Sequence, residues 1–149
     1  MPKKGPLYPH VPKSKQASPA GETQITVTTT VVVSDQRIQD LLVTAFEGGS
    51  NDWYVIKSFN YPKGQTKESL GIEFPHAELP LKEGGSLTIG DLSNKKVNKI
   101  LDRAAIVRGL KLMAEKQPRH WTDFMDENDD AITADVFLQL AVFGEVIYG

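Results

Sequence analysis

ITVTTTVVVSDQRIQDLLVTAFEGG, residues 25–49, is the stretch whose reading decides the fold class. Its first nine residues are all Ile, Thr or Val, β-branched types whose restricted side chains suit an extended, pleated backbone. Alternation places Val27, Thr29 and Val31 on one face of the expected strand and Thr26, Thr28 and Thr30 on the other. Ser34 then reads as a helix N-cap, because its hydroxyl can accept a free backbone N–H of the first turn. Ile38, Leu41, Leu42, Ala45 and Phe46 follow the helical i, i+3, i+4 spacing, and Gly48-Gly49 ends the run.

Working outward, Trp53–Asn60 reads as a second strand, closed by Tyr61-Pro62 and the Lys63-Gly64 turn. Leu70–Phe74 and Leu79–Leu81 are short strand candidates beside Pro75 and Pro80, and Ser86–Ile89 is another. Gly90–Ser93 reads as a loop, and Asn94–Lys99 is polar and gives no clear period. Asp102 caps an expected helix to about Lys116, ended by Pro118, with a helical turn near His120–Phe124. Thr133 is the expected cap of a last helix, Ala134–Phe143, stopped by Gly144. Strands cluster early and helices late. The expected class is α+β: a small antiparallel or mixed sheet with two or three helices packed on one face.

The last helix is apolar nearly all round, with Asp135 and Gln139 sharing one edge. Such a helix is buried or lies at a subunit interface, which points to a homo-oligomer joined through it. The chain of 149 residues is long enough for one domain and short for two. Its net charge of −2 conceals a division. Residues 1–24 hold Lys3, Lys4, Lys13 and Lys15 against Glu22 and carry five of the nine prolines. We therefore expect a basic, Pro-rich arm over 1–24 and a single acidic α+β domain over 25–149. That balance argues against a nucleic-acid binder. With no cysteine, thiol catalysis, Cys-ligated metal and disulfides are excluded. No apolar run is long enough for a membrane span.

Most catalytic and metal chemistry fails on spacing. Aligning Asp126, Asn128 and Asp130 to a calcium loop puts Ala131 at its glycine and Leu138 at its bidentate glutamate. His10, His76 and His120 are too scattered for a zinc set. There is no GxSxG elbow, no P-loop and no GxGxxG. The sequence reads as a non-enzyme with no cofactor.

Two arginines stand at unfavourable helix N-termini. Arg37 has Asp40 three residues on as a surface partner, while Arg103 lies beside an apolar flank and suits a carboxylate or an anion. Glu47–Tyr54 brings two glycines, Asn51, Asp52, Trp53 and Tyr54 together, a set able to meet a small polar ligand by backbone approach and ring stacking.

TAFEGGSNDWY (44–54) and DAITADVFLQLAVFGEVIYG (130–149) resemble a widespread family of small uncharacterised phage and prophage proteins, over about residues 25–149. Its pattern is EGG-x-x-x-W early and AD-x-x-x-Q-x-x-x-FGE-x-x-YG at the end. The resemblance implies expression in an infected bacterium, hence the host cytoplasm. By analogy with Thoeris anti-defence sponges, it suggests counter-defence by sequestering a nucleotide-derived signal. In that reading Trp53 or Tyr54 stacks on a base, Arg103 meets a phosphate and Asn51 or Gln139 reads polar edges, with Asp135 beside Gln139. The alternatives are an anti-CRISPR-like inhibitor of a host defence protein, or a virion component.

Overall fold

The computed structural model describes residues 20–49 and 52–149. The chain divides into two compact units, Met1–Val32 and Val33–Gly149. In the first, residues 22–32 carry neither helix nor strand. The expected Ile25–Val33 strand is therefore corrected. β-branched residues favour an extended backbone, but a strand also needs a neighbour to share its ladder of hydrogen bonds.

The second unit is an α+β fold, an antiparallel three-stranded sheet with five α-helices among the described residues. Helix α1 is Asp35–Thr44, and the Ser34 hydroxyl accepts from Arg37 N as its cap requires. A π-helical turn, Ala45–Gly49, continues it. Strand β1 is Tyr54–Asn60. Neither Pro-flanked strand candidate is a strand: Leu70–Phe74 is turn and irregular backbone leading into α2, Pro75–Glu78, and Leu79–Leu81 is a 3-10 turn. Proline lacks the ladder N–H but fits the first turn of a helix, where that N–H would go unpaired. Strands β2 (Ser86–Asp91) and β3 (Asn94–Leu101) form a hairpin, so the polar stretch after Ser93 is a strand. Helix α3 is Arg103–Lys116, with the Asp102 carboxylate accepting from Ala105 N. Pro118 opens α4 (Pro118–Met125) as well as closing α3. Helix α5 is Ala131–Phe143 and starts earlier than expected, because Asp130 rather than Thr133 is its cap. Gly144, at φ 79°, ends it in the left-handed conformation glycine adopts without strain.

The sheet order is β1-β2-β3. Alternation sends Leu87, Ile89 and Leu101 inward, where they are fully buried, and leaves Ser86, Thr88 and Ile100 on the opposite face. Helix α5 runs through the core, with Thr133, Ala134 and Val136–Val142 all buried. It packs against α3, α4, α1 and β3. Its all-round apolarity is thus accounted for within one chain, without a second subunit. The α3–α5 contact is close: a Cβ on Gly109 would lie 2.8 Å from the Ala141 Cα. No described helix is long and apolar enough to cross a membrane.

Candidate functional site

Five of the six expected ligand residues separate into two neighbourhoods at opposite ends of β2, and the sixth, Asn51, lies outside the described residues. At the Asp91 end, Trp53, Asp135 and Gln139 come together. Trp53 Nε1 donates to Asp135 Oδ1 at 2.7 Å, and Gln139 Nε2 donates to Asp135 Oδ2 at 2.8 Å. Gln139 also donates to Tyr148 O, while its Oε1 accepts from Ile147 N and Tyr148 N, both at 2.8 Å. Its amide thereby grips the backbone after α5 at a site with no exposure to water. Tyr148 closes the circuit by donating its hydroxyl to Asp91 Oδ2 at 2.7 Å. That bond to a carboxylate raises the Tyr148 pKa above 10.0, since ionisation would set two negative charges face to face.

Trp53 is only 4% exposed. Its ring stacks on Tyr148 at 6.0 Å and leans on Phe143 at 5.1 Å, so its faces are engaged by the protein itself. Tyr54 is half-buried, donates to Phe46 O at 3.0 Å and meets the Phe46 ring edge-on. Burial raises its pKa. Sequence reasoning found Trp53, Asp135 and Gln139 but missed Asp91 and Tyr148. The i, i+4 spacing of Asp135 and Gln139 was the visible signal, whereas Asp91 looked like loop.

Arg103 stands at the Ser86 end, on a cleft of about 580 Å³ lined by Leu81–Ser86, Ile100 and Asp102–Ala104. Its guanidinium forms a bidentate pair with Asp35, 3.0 Å on each arm, and donates to Leu81 O at 2.7 Å. The hydrogen bonds from Arg103 hold the Asp35 pKa below its usual 3.8, and the nearby charge of Lys82 adds to this. Five N–H donors serve three contacts here, so Arg103 keeps donors for a further acceptor. The Lys82–Gly85 turn forms one wall, with Gly84 at φ 79° and Gly85 N donating to Lys82 O. A Cβ on Gly85 would come within 2.4 Å of Leu79 O, so that position admits only glycine. Lys82, Ser86 and Ile100 escaped sequence reasoning because nothing in their spacing ties them to Arg103.

The remaining charged features are largely structural. Arg37 does not take Asp40; it reaches Asp129 at 2.9 Å, donates to Phe124 O and lies over the Phe124 ring. Asp129 and Asp130 are therefore employed in an ion pair and a helix cap. The backbone N–H of Thr133 lowers the Asp130 pKa. His76 pairs with Glu47 at 2.6 Å, and His120 bonds Thr133. No metal-holding group of carboxylates and histidines occurs among the described residues. The chain matches no protein-family model, no curated protein and no solved structure.

Proposed function

We propose that this protein acts by binding rather than by chemistry, sequestering a small nucleotide-derived molecule in the Arg103 cleft. The resemblance to phage proteins gives the setting: counter-defence in the cytoplasm of an infected bacterium. The observation that carries the reading is the composition of the cleft. A volume of about 580 Å³ suits a nucleotide-sized ligand. Its walls offer the spare Arg103 N–H groups, the Lys82 ammonium, the Ser86 hydroxyl and the apolar Ile100 side chain. Asp35 offsets the Arg103 charge, so recognition here rests on directed hydrogen bonds more than on a positive field. Trp53, Tyr54, Asp135 and Gln139 support the site at a distance by fixing the other end of the sheet.

The test is calorimetry of the full chain against cyclic mononucleotides and cyclic ADP-ribose isomers. Mass spectrometry of the ligand released on denaturation accompanies it. We expect binding by at least one of these, recovery of the ligand intact, and affinity reduced about tenfold or more in Lys82→Ala or Ser86→Ala, the loss of one good polar contact. Absence of heat at saturating concentration across the panel, or recovery of a cleaved product, would sink the reading.

A further inference from the structure

Residues 25–33 are all β-branched, carry no charge, and form neither helix nor strand. Among the described residues no hydrogen bond reaches their backbone. Ile25 is 73% exposed, Val27 82% and Val32 91%. Such residues suit a pleated ladder with one face covered, and here they have neither. A linker would be polar or rich in glycine, whereas a consecutive apolar run in water marks an interaction surface. The run also has sharp bounds. Gly21, at φ 87°, turns the chain before it, and Ser34 ends it by capping α1.

The order of residues is close to a palindrome about Thr29. Antiparallel pairing of two copies there sets Ile25 opposite Val33, Val27 opposite Val31 and Thr28 opposite Thr30, with Thr29 on the two-fold axis. Only Thr26 and Val32 make an unlike pair. Alternation gathers Ile25, Val27 and Val31 of both copies on one face. A slip of one residue in either direction sets Val31 against a threonine, so the pattern specifies the register. The sheet of the second unit does not compete for this segment. Its ladder at the β1 edge is irregular between Ile56 and Ser58, and its β3 edge contains Lys95, Lys96 and Lys99. Bulges and lysines are the features that keep added strands off a sheet edge. An unrelated strand would have no cause to mirror the order about Thr29.

We propose that residues 25–33 pair antiparallel with the same residues of a second copy of this chain, in a two-fold ribbon centred on Thr29. The neighbour that these residues lack is then the chain itself. Pairing all nine residues forms about eight to ten backbone hydrogen bonds between the copies. The segment rises about 27 Å from Ile25 to Val33, at about 3.4 Å per residue, so the two Val33 residues stand at opposite ends of the ribbon. Two strands alone are marginally stable, so the dimer builds up with concentration and comes apart on dilution. The proposal goes beyond the cleft reading: it uses no residue of the cleft and is independent of any ligand there.

Sedimentation equilibrium of the full chain over rising concentration tests it, together with disulfide trapping. The chain has no cysteine, so each introduced one is the only thiol. Oxidised Thr29→Cys should give a covalent dimer of twice 16.5 kDa, because a residue opposite itself lies within the Cα separation of about 4.4–6.8 Å that a disulfide spans. Lys63→Cys, on an exposed turn, supplies the rate from random collision. Val27→Cys or Val31→Cys alone should crosslink no faster than that control, since each residue is offset from its own copy by about 13 Å along the ribbon. An equal mixture of the two should crosslink readily. Thr29→Pro removes a ladder N–H from an exposed position. It should raise the dimer dissociation constant at least about tenfold while the melting temperature of the dilute chain stays unchanged. Val27→Cys trapped as fast as Thr29→Cys would mean parallel pairing, and particles larger than a dimer would mean open-ended stacking. Either overturns the proposal. So does a parent chain that is monomeric at every concentration, Thr29→Cys trapped no faster than Lys63→Cys, or Thr29→Pro that dimerises as the parent does.

Discussion

The two ends of β2 are built on opposite principles. At Asp91 the polar groups are spent inside the protein: Trp53, Asp135, Gln139, Tyr148 and Asp91 form one closed set of hydrogen bonds. At Ser86 the groups are positioned but not used up, with spare donors on Arg103, Ser86 and Thr88 facing an open cleft and an uncovered sheet. A buried polar group that loses its partner is costly, so the first end is suited to holding the fold. Donors held in place yet open to water cost little, which suits the second end to a ligand. Both ends share a strand, so the rigid one steadies the receptive one.

The largest expected effect tests the closed end. Gln139→Leu should destabilise the protein by about 3–5 kcal/mol, because it leaves Asp135 Oδ2, Tyr148 O and two backbone N–H groups without the amide that meets them. Urea unfolding measures it, and a loss under 1 kcal/mol would show that the network is dispensable. Gly109→Ala should follow at about 1–3 kcal/mol, since the added methyl must push apart two helices that have no slack. A neutral outcome there would mean that α3 and α5 can separate freely.

How much of this contrast was legible in the sequence depends on where each signal lived. Helices α1 and α3 and their caps Ser34 and Asp102 were readable because capping and periodicity are local. The Ile25–Val33 strand was misread because propensity names a conformation and not a partner. Leu79–Leu81 was misread because proline excludes a ladder position without saying what replaces it. The apolar circumference of α5 was plain, but whether it met its own chain or another depended on residues of other elements, such as Leu41, Leu101 and Ile106, far away in sequence. Of the site, the Asp135–Gln139 pair was visible as a helical spacing. Its partner Tyr148 was not, and neither was Asp35 under Arg103, 68 residues distant.

Acid sharpens the comparison at intermediate size. Asp35 and Asp130 both have folded pKa values below the usual 3.8, the first through Arg103 and the second through the Thr133 N–H. A depressed carboxylate pKa means that the unfolded chain binds protons more readily. The stability these two groups contribute is full above their unfolded value and is lost as pH falls through the lower folded value. Unfolding midpoints from pH 6 down to pH 2 should therefore decline mainly below about pH 4. Asp35→Asn should flatten part of that decline. It should also free Arg103, so anion affinity at the cleft should rise as stability falls. A variant that lost stability with unchanged ligand affinity would separate Arg103 from the site.

The smallest effect on stability is expected at the receptive end, and its smallness is the point. Lys82→Ala removes a half-buried side chain that makes no ion pair among the described residues, so it should change unfolding free energy by no more than about 0.5 kcal/mol. Groups kept for folding cannot be removed so cheaply, as Gln139 should demonstrate. Groups kept for a ligand can, provided that the ligand then notices. The informative measurement pairs two readouts on the same variant: unfolding midpoint unchanged and cleft-ligand affinity lowered by Lys82→Ala. If Lys82 proved as costly to stability as Gln139, the Ser86 end of β2 would belong to the scaffold, and the division between the strand's two ends would fail.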